Sequence, residues 1–173
     1  MIANPISINT KLYFLLTMAD GEVHSKEEEM GDRMLQHLSM NKEKFDEQIG
    51  ILEKQDSEKI FEDCIKELNT FNKNDQINCM AWMCLIANSD GFMDKDEWNL
   101  IYRIYHKNLA LNLSEITMRQ KELHRFIQQY RNIPDSAKET AIKPEVKSEQ
   151  KQPVPQTSTT TPLSDKPRLA FPM

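Results

Sequence analysis

Four things are scarce in this chain: positive charge, glycine, paired thiols and long apolar runs. Lys and Arg number 22 against 27 Asp and Glu, a formal net charge of −5. Phosphate recognition needs a clustered basic face, so nucleic acid is not an expected partner. Cations and basic protein surfaces are favoured instead. Four glycines in 173 residues are too few for a turn-rich β fold and point to helices. The cysteines are Cys64, Cys79 and Cys84, an odd number with no CxxC pair, all inside apolar stretches. They read as buried small hydrophobes in a reducing compartment. The longest apolar runs, around Leu12–Leu16 and Ala81–Ala87, fall far short of the roughly 20 residues a membrane span needs. The opening Met1–Ser7 has no basic region of the signal-peptide kind. A cytoplasmic protein without a membrane span is the expectation.

The groups that start covalent chemistry are missing too. There is no Gly-rich phosphate loop, nucleophile elbow or zinc knuckle. His24, His37, His106 and His124 form no HExxH or HxxxH pair. Without a nucleophile–base pair the expectation is a protein that is not an enzyme, with no catalytic residue and no certain cofactor.

What the chain does have is helical periodicity up to Tyr130. Leu12, Leu15, Leu16 and Ala19 mark a first helix, which Asp20-Gly21 ends. A second runs from about Lys26 to Leu38 on Met30, Met34, Leu35 and Leu38. Asn41 caps a third, with Phe45, Ile49 and Leu52 inward, and Asp56 or Ser57 caps a fourth. Asn74 or Asp75 caps a fifth, apolar on nearly every face from Ile77 to Ala87, which belongs at the centre with Trp82. A sixth spans about Lys95 to His106, its Trp98, Tyr102 and Tyr105 reading as core. Ser114 caps a seventh, carrying Ile116, Leu123, Phe126, Ile127 and Tyr130. The fold class is all-α: a bundle of about seven helices over residues 1–133.

Beyond Ile133 the character changes. Seven of the eight prolines lie at Pro134 or later, among Lys, Glu, Gln, Ser and Thr. Such a composition cannot bury enough apolar surface to offset chain entropy, so residues 134–173 read as a disordered tail. Its last stretch, Pro167–Met173, is an apolar island with Leu169, Phe171 and Met173 beside Arg168. A peptide of this kind docks either a protein partner or the domain's own surface.

The chain also repeats. Shifted by 70 residues, Leu15-Leu16-Thr17-Met18-Ala19-Asp20-Gly21 lies over Leu85-Ile86-Ala87-Asn88-Ser89-Asp90-Gly91. Both units continue as Asp-Gly-x-(Val/Met)-x-x-x-Glu, so the bundle carries an internal two-fold repeat. Asp20, Gly21, Val23 and Glu27, like Asp90, Gly91, Met93 and Glu97, match the second half of an EF-hand calcium loop. The first half fails, because Leu16 and Ile86 stand where carboxylates are needed. The same acids also fit helix capping: Asp94 with Glu97 and Ser25 with Glu28 have capping-box spacing, whereas Glu27 faces His24 at the partner position. Capping and a weak divalent-cation site both remain open here.

The doubled Ala19-Asp20-Gly21-Glu22-Val23 and Ala87-Asn88-Ser89-Asp90-Gly91 motifs resemble the TerB-like family, which includes tellurite-resistance TerB proteins and the N-terminal domain of DjlA-type co-chaperones. The likeness spans about Leu12 to Tyr130. It implies a helical bundle with pseudo-twofold repeats, no established catalysis, roles in tellurite resistance or stress response, and a suspected metal-binding acidic cluster. By position that cluster maps onto Asp20, Glu27, Asp90 and Glu97. Ser89 departs from the Ala expected before the second Asp-Gly. No His-Pro-Asp tripeptide is present, so co-chaperone activity does not carry over.

Overall fold

The computed structural model describes residues 6–19 and 21–131, the side chains only up to 129. Asp20 and the stretch read above as a tail, 134–173 with Pro167–Met173, lie outside the described residues. Seven α-helices follow in order: α1 Ile8–Thr17, α2 Ser25–His37, α3 Lys42–Leu52, α4 Ser57–Leu68, α5 Lys73–Ala87, α6 Lys95–Tyr102 and α7 Leu113–Arg131. A π-helical segment, Arg103–Asn108, continues α6. No strand occurs among the described residues.

Side-chain caps set most helix starts, because the first backbone N–H groups have no partner within their own helix. Asn41 accepts the Lys44 N–H at 2.9 Å, and Asp56 accepts that of Lys59 at 3.0 Å. Two starts differ from the sequence reading. α5 begins at Lys73, because Asn72 rather than Asn74 or Asp75 caps it, accepting the Asp75 N–H at 3.0 Å. α7 begins at Leu113, because the Asn112 side-chain Oδ1 takes the Ser114 N–H at 2.8 Å and the Ser114 hydroxyl at 2.7 Å. In both places an earlier Asn reaches the first free N–H groups.

α5 is the axis of the bundle. Cys79 through Ala87 are all buried, and Trp82 is 1% exposed. α7, α2, α1 and α6 pack around α5, while α3 and α4 lie against α1. The packing is reciprocal across the 70-residue repeat. α1 meets α5, α1 also meets α6, and α5 also meets α2, so the first helix of each unit packs on both helices of the other. Equivalent positions share burial: Leu12 with Trp82, Leu16 with Ile86, Met34 with Ile104 and Leu35 with Tyr105.

The sixth helix departs most from the sequence reading. It leaves α-geometry after Tyr102, and the Leu109 N–H reaches back five residues to the Ile104 carbonyl at 3.1 Å. The aromatic stripe splits accordingly: Tyr105 is buried, Tyr102 half-buried, and Trp98 is 38% exposed. Tyr102 stacks on His106 with ring centroids 4.7 Å apart.

Candidate functional site

The helix ends before the two Asp-Gly pairs, and the glycines themselves, share one geometry. At the end of α1 the Met18 N–H bonds the Phe14 carbonyl and the Ala19 N–H the Leu16 carbonyl, both at 3.0 Å. Seventy residues on, Asn88 bonds Cys84 at 3.1 Å and Ser89 bonds Ile86 at 3.0 Å. Gly21 follows with φ +81° and Gly91 with φ +93°. A Cβ at either position would have open space. The left-handed backbone, not crowding, is therefore what requires glycine.

The chain then enters α2 and α6 through matching capping boxes. Glu27 accepts the His24 backbone N–H at 3.1 Å, and Glu97 accepts the Asp94 backbone N–H at 2.8 Å. These carboxylates are only 4% and 3% exposed, two of the four buried polar side chains among the described residues. A carboxylate is kept there because it satisfies an N–H group at the positive end of a helix. The box in the first unit is His24 with Glu27, not Ser25 with Glu28. A histidine at the cap is no obstacle, because the group that Glu27 holds is a backbone N–H that any residue but proline supplies.

Asp90 has a local role as well. Its Oδ1 accepts the Phe92 N–H at 2.9 Å, closing an Asx turn over Gly91. Leu16 and Ile86, where a calcium loop would begin with carboxylates, are 0% and 2% exposed and belong to the core. Of the four residues proposed as a cation site, Glu27, Asp90 and Glu97 thus serve the backbone, and Asp20 lies outside the described residues. Among the described residues no group of three His, Cys, Asp or Glu side chains is placed to hold a metal ion.

A groove beside the first turn was not legible along the chain, because three helices build it. Tyr13 and Phe14 of α1, Gly31 of α2 and Phe45 of α3 line it. Gly31 lets the Tyr13 ring approach: a Cβ there would stand 2.7 Å from Tyr13 Cε2. Tyr13 meets Phe45 edge-on at 5.2 Å. Burial, then Glu28, Glu27, Asp32 and Asp46, push the Tyr13 phenol up to about 12. Four carboxylates thus lie near enough to act on the phenol that faces the groove.

A family model described as tellurite resistance protein TerB matches residues 10–121, from α1 into α7 and across both turns. The chain belongs to the TerB family. No curated protein and no solved structure matches it. The paired turns of this TerB domain are thus its repeat signature, and their acids shape the helix entries first. Among the described residues no helix is long and apolar enough to cross a membrane.

Proposed function

We propose that this TerB protein is a non-enzymatic interaction module of the tellurite-resistance or stress-response type, acting in the cytoplasm through a protein partner. The observation that carries the reading is how its chemistry-bearing side chains are used. Glu27, Glu97 and Asp90 hold backbone N–H groups. Burial pushes the Cys64, Cys79 and Cys84 thiols up to about 12, far from the thiolate a nucleophile needs. His37 sits between Trp82 and Phe126, at 5.3 and 4.8 Å between ring centroids, and burial with the nearby Arg119 charge holds its imidazole below the ordinary range. Affinity capture on the full chain from tellurite-stressed cells tests it. A protein that binds saturably and rebinds when purified is the expected result. Failure to retain any protein would count against the module reading.

The second reading is a divalent-cation protein using Asp20, Glu27, Asp90 and Glu97, favoured by the matching placement of Glu27 with Glu97 and of Gly21 with Gly91. Thermal unfolding with and without millimolar calcium, magnesium, manganese or zinc decides it. A cation at ~100 times its dissociation constant adds about 2.7 kcal/mol. That gain should vanish in Glu27→Gln with Glu97→Gln, and a midpoint that no cation moves removes the reading.

A further inference from the structure

The groove beside the first turn does not end at α3. A second hollow of about 770 Å3 adjoins it, and Phe14, Met18 and Glu53 line both. That volume falls within the roughly 300–1,000 Å3 typical of ligand sites. The floor is apolar, from Phe14, Leu15 and Phe61, and Met18 stands on it 53% exposed. At the outer end Val23 is 51% exposed. Met18 and Val23 thus add exposed apolar surface to the lining of the first groove.

The walls are acidic. Seven carboxylates and two cations line the two hollows. Both cations are already engaged: Lys42 bridges Asp32 at 3.2 Å and Asp46 at 3.1 Å, and Arg103 pairs with Glu58. Glu28, Glu53 and Asp96 enter no ion pair among the described residues. The surface therefore fits an extended segment with apolar anchors and positive charge. A second copy of this net-negative domain fits it poorly.

The chain supplies such a segment. From Lys166 to Met173 it reads Lys-Pro-Arg-Leu-Ala-Phe-Pro-Met, with two cations and no acidic side chain. Pro167 and Pro172 favour extended backbone at and before themselves. In an extended segment Leu169 and Phe171 share one face, while Lys166 and Arg168 share the other. Apolar anchors on one face and long cationic side chains on the other match a surface with an apolar floor and an acidic rim. The 34 residues from 132 to 165 can span up to roughly 110 Å. That is several times the ~14 Å radius of gyration of a domain this size.

We propose that the acid-rimmed groove around Met18 is the docking site for the chain's own segment Lys166–Phe171. The domain thereby covers its interaction surface until a competing basic, apolar ligand displaces the segment.

A nitroxide placed through Ala170→Cys on the full, 15N-labelled chain tests this. The three native thiols are buried and do not compete for the label. Amide signals of Met18, Val23, Ile49 and Glu53 should lose intensity, while that of Met118 on α7 should not. Arg168→Glu, or Glu28→Lys with Glu53→Lys, should abolish the loss, and raised salt should weaken it. Combining Arg168→Glu with Glu53→Lys should restore part of it. Evenly spread loss, loss centred on another face, or no loss overturns the proposal. So does a loss of similar size when spin-labelled 14N chain is mixed with 15N chain carrying no nitroxide, because the occupant is then a second molecule.

Discussion

Single side chains in this TerB domain are spent on the backbone before anything else. Glu97, at 3% exposure, accepts the Asp94 N–H at 2.8 Å. Glu97→Ala leaves that donor unsatisfied and should cost about 1–3 kcal/mol in urea unfolding. Glu97→Gln keeps an acceptor oxygen and should cost clearly less. Equal losses would show that the charge, not the acceptor, is what the site needs. Two helical glycines give a second contrast. Gly31→Ala pushes a Cβ to 2.7 Å from the ring of Tyr13, itself only 9% exposed. Overpacking of about 1–3 kcal/mol should outweigh the roughly 1 kcal/mol that alanine gains in a helix. Gly50 in α3 has nothing within 4 Å, so Gly50→Ala should stabilise by up to about 1 kcal/mol. Opposite signs in one denaturation series are the expected outcome.

Among the elements, α5 carries the most. Its buried run from Cys79 to Ala87 leaves no face for solvent, which is why it was recognisable as central from sequence. Trp82→Ala should cost roughly 3–5 kcal/mol. Trp82→Phe should cost much less, because the indole Nε1 has no hydrogen-bond partner to lose among the described residues. A loss below about 1 kcal/mol for the alanine variant would contradict the central role. α6 was legible only as far as Tyr102. Beyond it the backbone turns π-helical, which rotates the following side chains and separates buried Ile104 and Tyr105 from exposed Trp98. Nothing in the spacing of Trp98, Tyr102 and Tyr105 announces such a change, since each lies at an ordinary helical interval.

At the scale of the whole molecule, burial makes the fold sensitive to base. Three thiols rise from 9.0 to about 12, and the Tyr13 phenol from 10.0 to about 12. The unfolded chain ionises these groups first. It therefore holds fewer protons than the native state above pH 9, and stability falls as pH rises. The loss should begin near pH 9 for the thiols and near 10 for Tyr13, and be complete by about pH 12. Circular dichroism across that window should show cooperative unfolding. A thiol reagent at pH 8 should find all three cysteines unreactive until unfolding exposes them. Rapid labelling of the native chain at pH 8 would contradict their burial.

The sequence by itself determined the helices, their order and the repeat. Each rests on local information: apolar side chains at helical intervals, Gly at two left-handed positions and acids at helix entries. Tertiary structure decided which of those acids are buried and what they hold. Glu97 was legible as a capping acid opposite Asp94, but Glu27 was not, because His24 stands at its partner position, and only the folded turns show both acids buried on a backbone N–H. It also decided the groove, whose walls come from α1, α2, α3, α4 and α6, far apart in the chain. A surface of that kind exists only after packing, because no single element carries both its apolar floor and its acidic rim.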